Sequence, residues 1–368
     1  LLTAPWSSIG SHPTSNSVAG PDPERIRWED AVPSLTRSLS LAVLTVCTVF
    51  ATAQTPAQRE QSLQVNVFTS PATADLSPQD IQLLDNKQPR PITSLRRVGG
   101  SDPVHVIVVL DAVNIPYIRM AYERTEIEKF LRANGGKLTN PTTFAVVTDK
   151  ATDVQKGFSN DGNALSKALE KYPIGLREIR RDQGIWGADE RTQISLKALT
   201  ELTAYAAKVP GQKLVLWVSP GWPLLTGIRI DLTARQQDEI FRSVVGYSRQ
   251  MRLAKMTLYN INPIGPEEDL LRADYYQEFL KGITRPQDTQ IADLSLQVLA
   301  IQSGGRTITS NSDVTGNLEK CVDEARSMYE VTFTPAPAER PDEFHPLQVT
   351  ITNPGITARA RNGYYAQP

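Results

Sequence analysis

The chain is short of metal-binding and redox side chains. Among 368 residues it has three histidines and two cysteines, which leaves few ligands for a zinc or iron centre. It also lacks a surplus of either charge, with 39 Lys and Arg against 40 Asp and Glu. Such a balance gives no broad basic field, so nucleic acid and anionic membrane surfaces are poor partners. No apolar run is long enough for a stable membrane anchor. What the chain does have is 40% hydrophobic and 21% charged residues, enough for a packed core. Its length allows one large domain or two modest ones.

An apolar run from Leu39 to Phe50 follows Arg37 and ends in Ala51-Thr52-Ala53. A positive flank, a run of this length and an A-x-A site describe a secretory signal peptide. We expect a leader over 1–53, with the signal at 37–53 and cleavage near Ala53, and a secreted or periplasmic protein. The competing reading is a short buried helix. Residues 1–36 do not suit a secretory signal, and a misassigned start site would explain them. Cys47 has Val46 before it, where a lipoprotein cysteine would have a small residue. Cleavage leaves only Cys321, so the mature chain forms no intrachain disulfide.

Residues 62–98 read as β-structure. "SLQVNVF" alternates, and "DIQLLDNKQPRPI" gives a strand, a polar turn and a Pro-marked continuation. From 104 to 328 strands and helices alternate. "VHVIVVL", "TTFAVVTD", "KLVLWVS" and "MTLYNIN" read as strands. "DGNALSKALEKY", opened by Asp161 as N-cap, "TARQQDEIFRSVVGYSRQMRLAK" and "DLSLQVLAIQSGG", with a Gly stop, read as helices. The near-continuous apolar strands are those of a parallel sheet covered on both faces. The fold class expected is therefore α/β, doubly wound, with a mostly parallel sheet. Asp111, Asp149 and Ser219 fall at strand ends, where such sheets bind ligands. From 329 to 368 the pattern returns to β. The economical arrangement is one small β-sandwich made from both chain ends, 62–98 plus 329–368.

The segments "VIVVLDAVNIPYIRMAYERTEIEKFL", "KLVLWVSPGWP", "MTLYNINPIG", "LAIQSGGRT", "SMYEVTFTPA" and "TARARNGYYA" occur in an order that resembles the von Willebrand factor type A (VWA) domain. They are most similar to the VWFA-related proteins common in acidobacteria. The resemblance implies a metal-ion-dependent adhesion site: Asp-x-Ser-x-Ser after the first core strand, a later Thr, and an Asp after the fourth strand. Magnesium there takes six oxygens and leaves one position for a partner's carboxylate. This chain departs from that pattern. Asp111 matches the first Asp, but Val113 and Ile115 stand at the two serine positions. Ser219 or Pro220 replaces the later Asp, and no acid occurs from Leu214 to Ile230. Asp111, Asn114, Thr192 and Ser219 are weak candidate ligands, and Mg2+ or Ca2+ is disfavoured. Asp111 then either caps the following backbone or anchors a partner-binding cleft.

Catalytic chemistry finds little support. His12 lies in the leader, His105 opens the first core strand, and His345 lies in the β tail. Cys321 shares helical spacing with Leu318, Val322 and Ala325, as a core residue does. "GPEED" at 265–269 reads as acids opening a helix. The loop 174–191, with several Arg and Trp186, and "SPGWPLLTG", with Trp222, are candidate partner loops, since Arg and Trp are enriched at binding hot spots. The expectation is a non-enzymatic protein-binding module that contacts its partner through Asp111, Asn114, Ser219, Trp186 and Trp222. A divalent-cation-dependent adhesion protein is the alternative, and a hydrolase with a cryptic site comes third.

Overall fold

A computed structural model describes residues 60–72, 76–99, 103–173, 184–225, 232–265 and 275–368. The leader and the signal at 37–53 lie outside them, as do 174–183 and the acids of "GPEED".

The described residues open with β1 (Leu63–Ser70), β2 (Ile81–Asp85), β3 (Gln88–Arg90) and β4 (Ile92–Arg97). The α/β core follows: β5 (His105–Asp111), α1 (Tyr117–Arg132), β6 (Lys137–Val147), β7 (Thr152–Val154), β8 (Ser159–Asp161), α2 (Gly162–Lys171) and α3 (Gly184–Ala207). It continues with β9 (Lys213–Val218), α4 (Ala234–Leu253), β10 (Met256–Ile261), α5 (Leu296–Gln302), β11 (Thr307–Ile308) and α6 (Val314–Asp323). The chain closes with β12 (Met328–Phe333), β13 (Glu343–Ile351), β14 (Thr357–Ala360) and β15 (Gly363–Ala366).

The core sheet runs β11-β10-β9-β5-β6-β7, with β8 also on β6. The four pairings from β11 to β6 are parallel, and β7 and β8 join antiparallel. Strand period decides which helices cover which face. Ile107, Val109, Ala145, Val147, Val215 and Trp217 face the layer of α3, α4 and α5. Val106, Val108, Leu110, Val146, Leu214 and Leu216 face α1, α2 and α6. Asp161 caps α2 by accepting the Ala164 N–H at 3.0 Å. Thr233 opens α4 with a capping box to Gln236.

Two boundaries differ from the sequence reading. Residues 184–191 are not loop but the first turns of α3, where the Thr192 and Ser195 hydroxyls bond back to the i−4 carbonyls. The segment "DLSLQVLAIQSGG" is not one helix. Ser295 is extended, at φ −71 and ψ 152, and splits a 3-10 turn at Ile291–Leu294 from α5.

The chain ends build two four-stranded sheets, β14-β1-β12-β4 and β15-β13-β2-β3. Each mixes strands from both ends of the sequence. Leu63, Val65 and Val67 of β1 and Val331 and Phe333 of β12 share a core with Leu83 of β2, Leu347 of β13 and Tyr364 of β15. The β2–β3 hairpin turns on Asn86 and Lys87, both at positive φ (49 and 65), as a two-residue hairpin requires. Within this sandwich Asp85 accepts from Tyr364 Oη at 2.9 Å and the Ala336 N–H, and pairs with His345 Nδ1 at 3.2 Å. Burial pushes the Asp85 carboxyl up, but these bonds outweigh it and hold the group below its ordinary value.

Candidate functional site

Asp111 ends β5, which lies between β9 and β6. The chain goes from β5 to β6 and later returns to the other side of β5 as β9, so the order reverses between β5 and β9. Open α/β sheets bind ligands at the strand carboxyl ends beside such a switch.

The side chain of Asp111 is fully buried. Its Oδ1 accepts the backbone N–H groups of Val113 and Asn114, each at 3.0 Å. Its Oδ2 accepts Asn114 Nδ2 and Trp217 Nε1, each at 2.9 Å. A carboxylate offers about four lone-pair positions, and N–H donors of the protein occupy all of them. The Asn114 amide also donates to Ser195 Oγ at 2.9 Å, and that hydroxyl donates to the Arg191 carbonyl at 2.7 Å. Trp217 is held in turn by Trp222, ring centroids 5.2 Å apart and edge to face.

The residues after Asp111 close the site with apolar groups. Val113 packs with the α3–α4–α5 layer, and Ile115 with the α1–α2–α6 layer. Both side chains therefore belong to the core, one on each face of the sheet.

Glu123 of α1, within reach of the Asp111 charge, is fully buried, and neither of its carboxyl oxygens has a hydrogen-bond partner. Burial first, and then the negative charge of Asp111, push its carboxyl up to about 9, with Arg119 opposing. At neutral pH Glu123 is therefore a neutral acid.

The structure gathers Asp111 and Asn114 and leaves the other sequence candidates apart from them. Ser219 is buried past the end of β9, where its hydroxyl accepts the Gly221 N–H at 3.2 Å and its carbonyl accepts Asn260 Nδ2 at 2.7 Å. No hydrogen bond joins it to Asp111 among the described residues. The Thr192 hydroxyl is spent on the Ala188 carbonyl at 2.9 Å. Trp222 is 2% exposed, whereas Trp186 is 45% exposed in the first turn of α3. Three residues of the cluster were missed: Trp217, Ser195 and Glu123. The signal for Glu123 was present, because it shares the buried face of α1 with Met120 and Ile127 at helical spacing. Trp217 and Ser195 lie 106 and 81 residues from their partners, beyond any local pattern.

The histidines stand in separate parts of the fold. His105, at the amino end of β5, packs edge to face on Phe158, and burial followed by the nearby Lys213 lowers its pKa. His345 sits buried in the sandwich with Asp85 and Tyr364. Among the described residues no group of three or more His, Cys, Asp and Glu could hold a metal ion, and no helix is long and apolar enough to cross a membrane.

No family model matches the chain, and no curated protein matches it either. Among solved structures it is similar to proximal thread matrix protein 1 from the mussel byssus, at 12% identity and a TM-score of 0.32, over 61% of this chain and 48% of that one. It is similar to the human COPII-coat protein Sec24c at 10% identity and a TM-score of 0.27, over 72% of this chain and 44% of that one. It is also similar to the SpRpn10 VWA domain at 11% identity and a TM-score of 0.26, over 56% of this chain and 87% of that one. The chain thus spans about half the length of the first two.

Proposed function

We propose that the chain is a non-enzymatic protein-binding module with a VWA-like core. In this reading the Asp111 site descends from a metal-ion-dependent adhesion site and now works without metal. The observation that carries it is the saturation of Asp111 by four N–H donors. A divalent cation needs oxygen ligands around that carboxylate, and the side chains two and four residues on, Val113 and Ile115, are hydrocarbon packed into the core. Asp111 becomes a structural clasp that ties β5, α3 and β9 together at the switch point.

The partner surface then belongs to exposed side chains around the clasp. Ile118, at 86% exposure, and Tyr122, at 42%, are one helical turn apart at the start of α1. Trp186 opens α3. Helices that return the chain to a parallel strand begin at the strand carboxyl ends, so all three rim the ligand-binding side of the sheet. Exposed large apolar groups of this kind mark interaction surfaces. Export to the periplasm or the cell exterior belongs to the same reading and rests on the signal sequence at 37–53.

The test is affinity capture from cell-envelope extract in excess EDTA, comparing the natural chain with an Ile118→Ser, Tyr122→Ser, Trp186→Ser triple variant. The expected result is a partner retained in EDTA and lost with the triple variant. A partner released by EDTA and unaffected by the triple variant would replace this reading with cation-dependent adhesion.

A further inference from the structure

A cavity lies at the opposite end of the core sheet from Asp111, where its strand amino ends meet the β-sandwich. It measures about 620 Å³, within the range of small-molecule sites. Its charged lining is Glu60, Arg249, Arg252, Lys255, Glu330 and Arg361.

Pairing these charges leaves an excess of positive charge. Glu60 meets Arg252 through both oxygens, one at 2.8 Å from Nη1 and the other on Nη2. Glu330 is held by Lys255 at 2.9 Å and by Arg96 at 3.0 Å, with Gln212 Nε2 donating to it at 2.8 Å. Both carboxylates are therefore spent. Arg249, half-buried, makes no ion pair among the described residues. Arg361 is only 6% exposed, its Nε has no acceptor, and its Nη2 reaches just the Ser248 carbonyl at 3.4 Å. Proteins pair the charges they bury, yet among the described residues no carboxylate forms a salt bridge with Arg361, and Glu60, held by Arg252, acts on it only at longer range.

We propose that this cleft binds a small organic anion, whose phosphate or carboxylate head sits between Arg249 and Arg361 and whose body lies along Leu253 and Met256. The guanidinium fork suits an oxyanion head. Leu253, 63% exposed, and Met256 supply the apolar wall beside it. Burial, and then the neighbouring Arg252, push the Arg361 pKa down to about 9 with Glu60 opposing, and an anion would relieve that. The site is independent of the Asp111 clasp and of the rim surface.

The experiment is calorimetry on the full chain with inorganic phosphate, glucose 6-phosphate and succinate, at constant ionic strength against chloride. The expected result is saturable binding of at least one of the two organic anions, tighter than inorganic phosphate. Glucose 6-phosphate ahead of succinate would name a phosphate head, and the reverse a carboxylate. Arg249→Gln, on a half-buried residue that leaves the fold alone, should weaken binding at least tenfold, as should Arg361→Met. Replacing a buried charge that forms no salt bridge by an apolar side chain of similar length removes its desolvation cost. The proposal is overturned if neither organic anion binds above the chloride control, or if binding is the same in Arg249→Gln and the natural chain.

Discussion

Replacing Asp111 by alanine removes an acceptor that four donors share. Trp217 Nε1, Asn114 Nδ2 and the N–H groups of Val113 and Asn114 would all lose it. Asn114 Nδ2 keeps Ser195 Oγ, so three buried donors are stranded. Each stranded donor costs about 1–3 kcal/mol. The variant no longer buries a carboxylate, which offsets part of that loss. We predict a net destabilisation of about 3–4 kcal/mol, or roughly 6–8 °C in Tm at ~2 °C per kcal/mol for a chain of this size. Urea unfolding followed by circular dichroism gives the number, and EDTA should leave it unchanged. Asp111→Asn should also destabilise, because in either amide orientation its nitrogen faces two N–H donors where a carboxylate oxygen now accepts. A double-mutant cycle with Trp217→Phe isolates one bond, and its coupling should be roughly 1–3 kcal/mol. If Asp111→Ala unfolds within about 0.5 kcal/mol of the natural chain, as a neutral surface change would, the clasp reasoning is refuted.

Two further outcomes follow from buried acids. Glu123 has a raised folded pKa, so the folded chain holds a proton that the unfolded chain releases above its ordinary value of 4.5. Its contribution is fully present below that value and declines as pH climbs toward about 9, by up to about 1.4 kcal/mol per unit. Glu123→Gln removes the slope, so it should gain about 2–4 kcal/mol relative to the natural chain between pH 5 and pH 8; parallel stability curves would contradict this. Asp85 behaves oppositely: its folded pKa is lowered, so its contribution is present above the ordinary carboxyl value and is lost as pH falls through the folded one. Tyr364→Phe removes one of its donors; it should cost about 1–2 kcal/mol at neutral pH and shift the acid-unfolding midpoint upward, and an unmoved midpoint would count against the network.

The layers of this fold were legible because β5, β9 and β10 are buried along their whole lengths apart from His105. Such strands in alternation with amphipathic helices are those of a parallel sheet covered on both faces. The sandwich was legible for a different reason: neither β end of the chain has enough apolar surface to fold alone, so the two ends had to meet. Asp111 could be found as a strand-end carboxylate, and Asn114 as a nearby polar group. What surrounds them could not be found, because Trp217 and Ser195 reach Asp111 and Asn114 only once β9 and α3 have packed. Trp222 shows the same limit from the other side. A Trp between two prolines and a glycine reads as a loop aromatic, yet it is buried against Trp217. The cleft beside Arg361 draws its charges from residues 60 to 361, and no stretch of sequence displays them together.

The most direct measurement of the central claim is a calorimetric titration of the chain with magnesium, manganese and calcium, beside a melting curve in EDTA. A carboxylate already saturated by four N–H donors predicts no saturable heat from any of the three ions and the same Tm with and without chelator. Saturable binding that Asp111→Ala abolishes, with a lower Tm for the natural chain in EDTA, would contradict it.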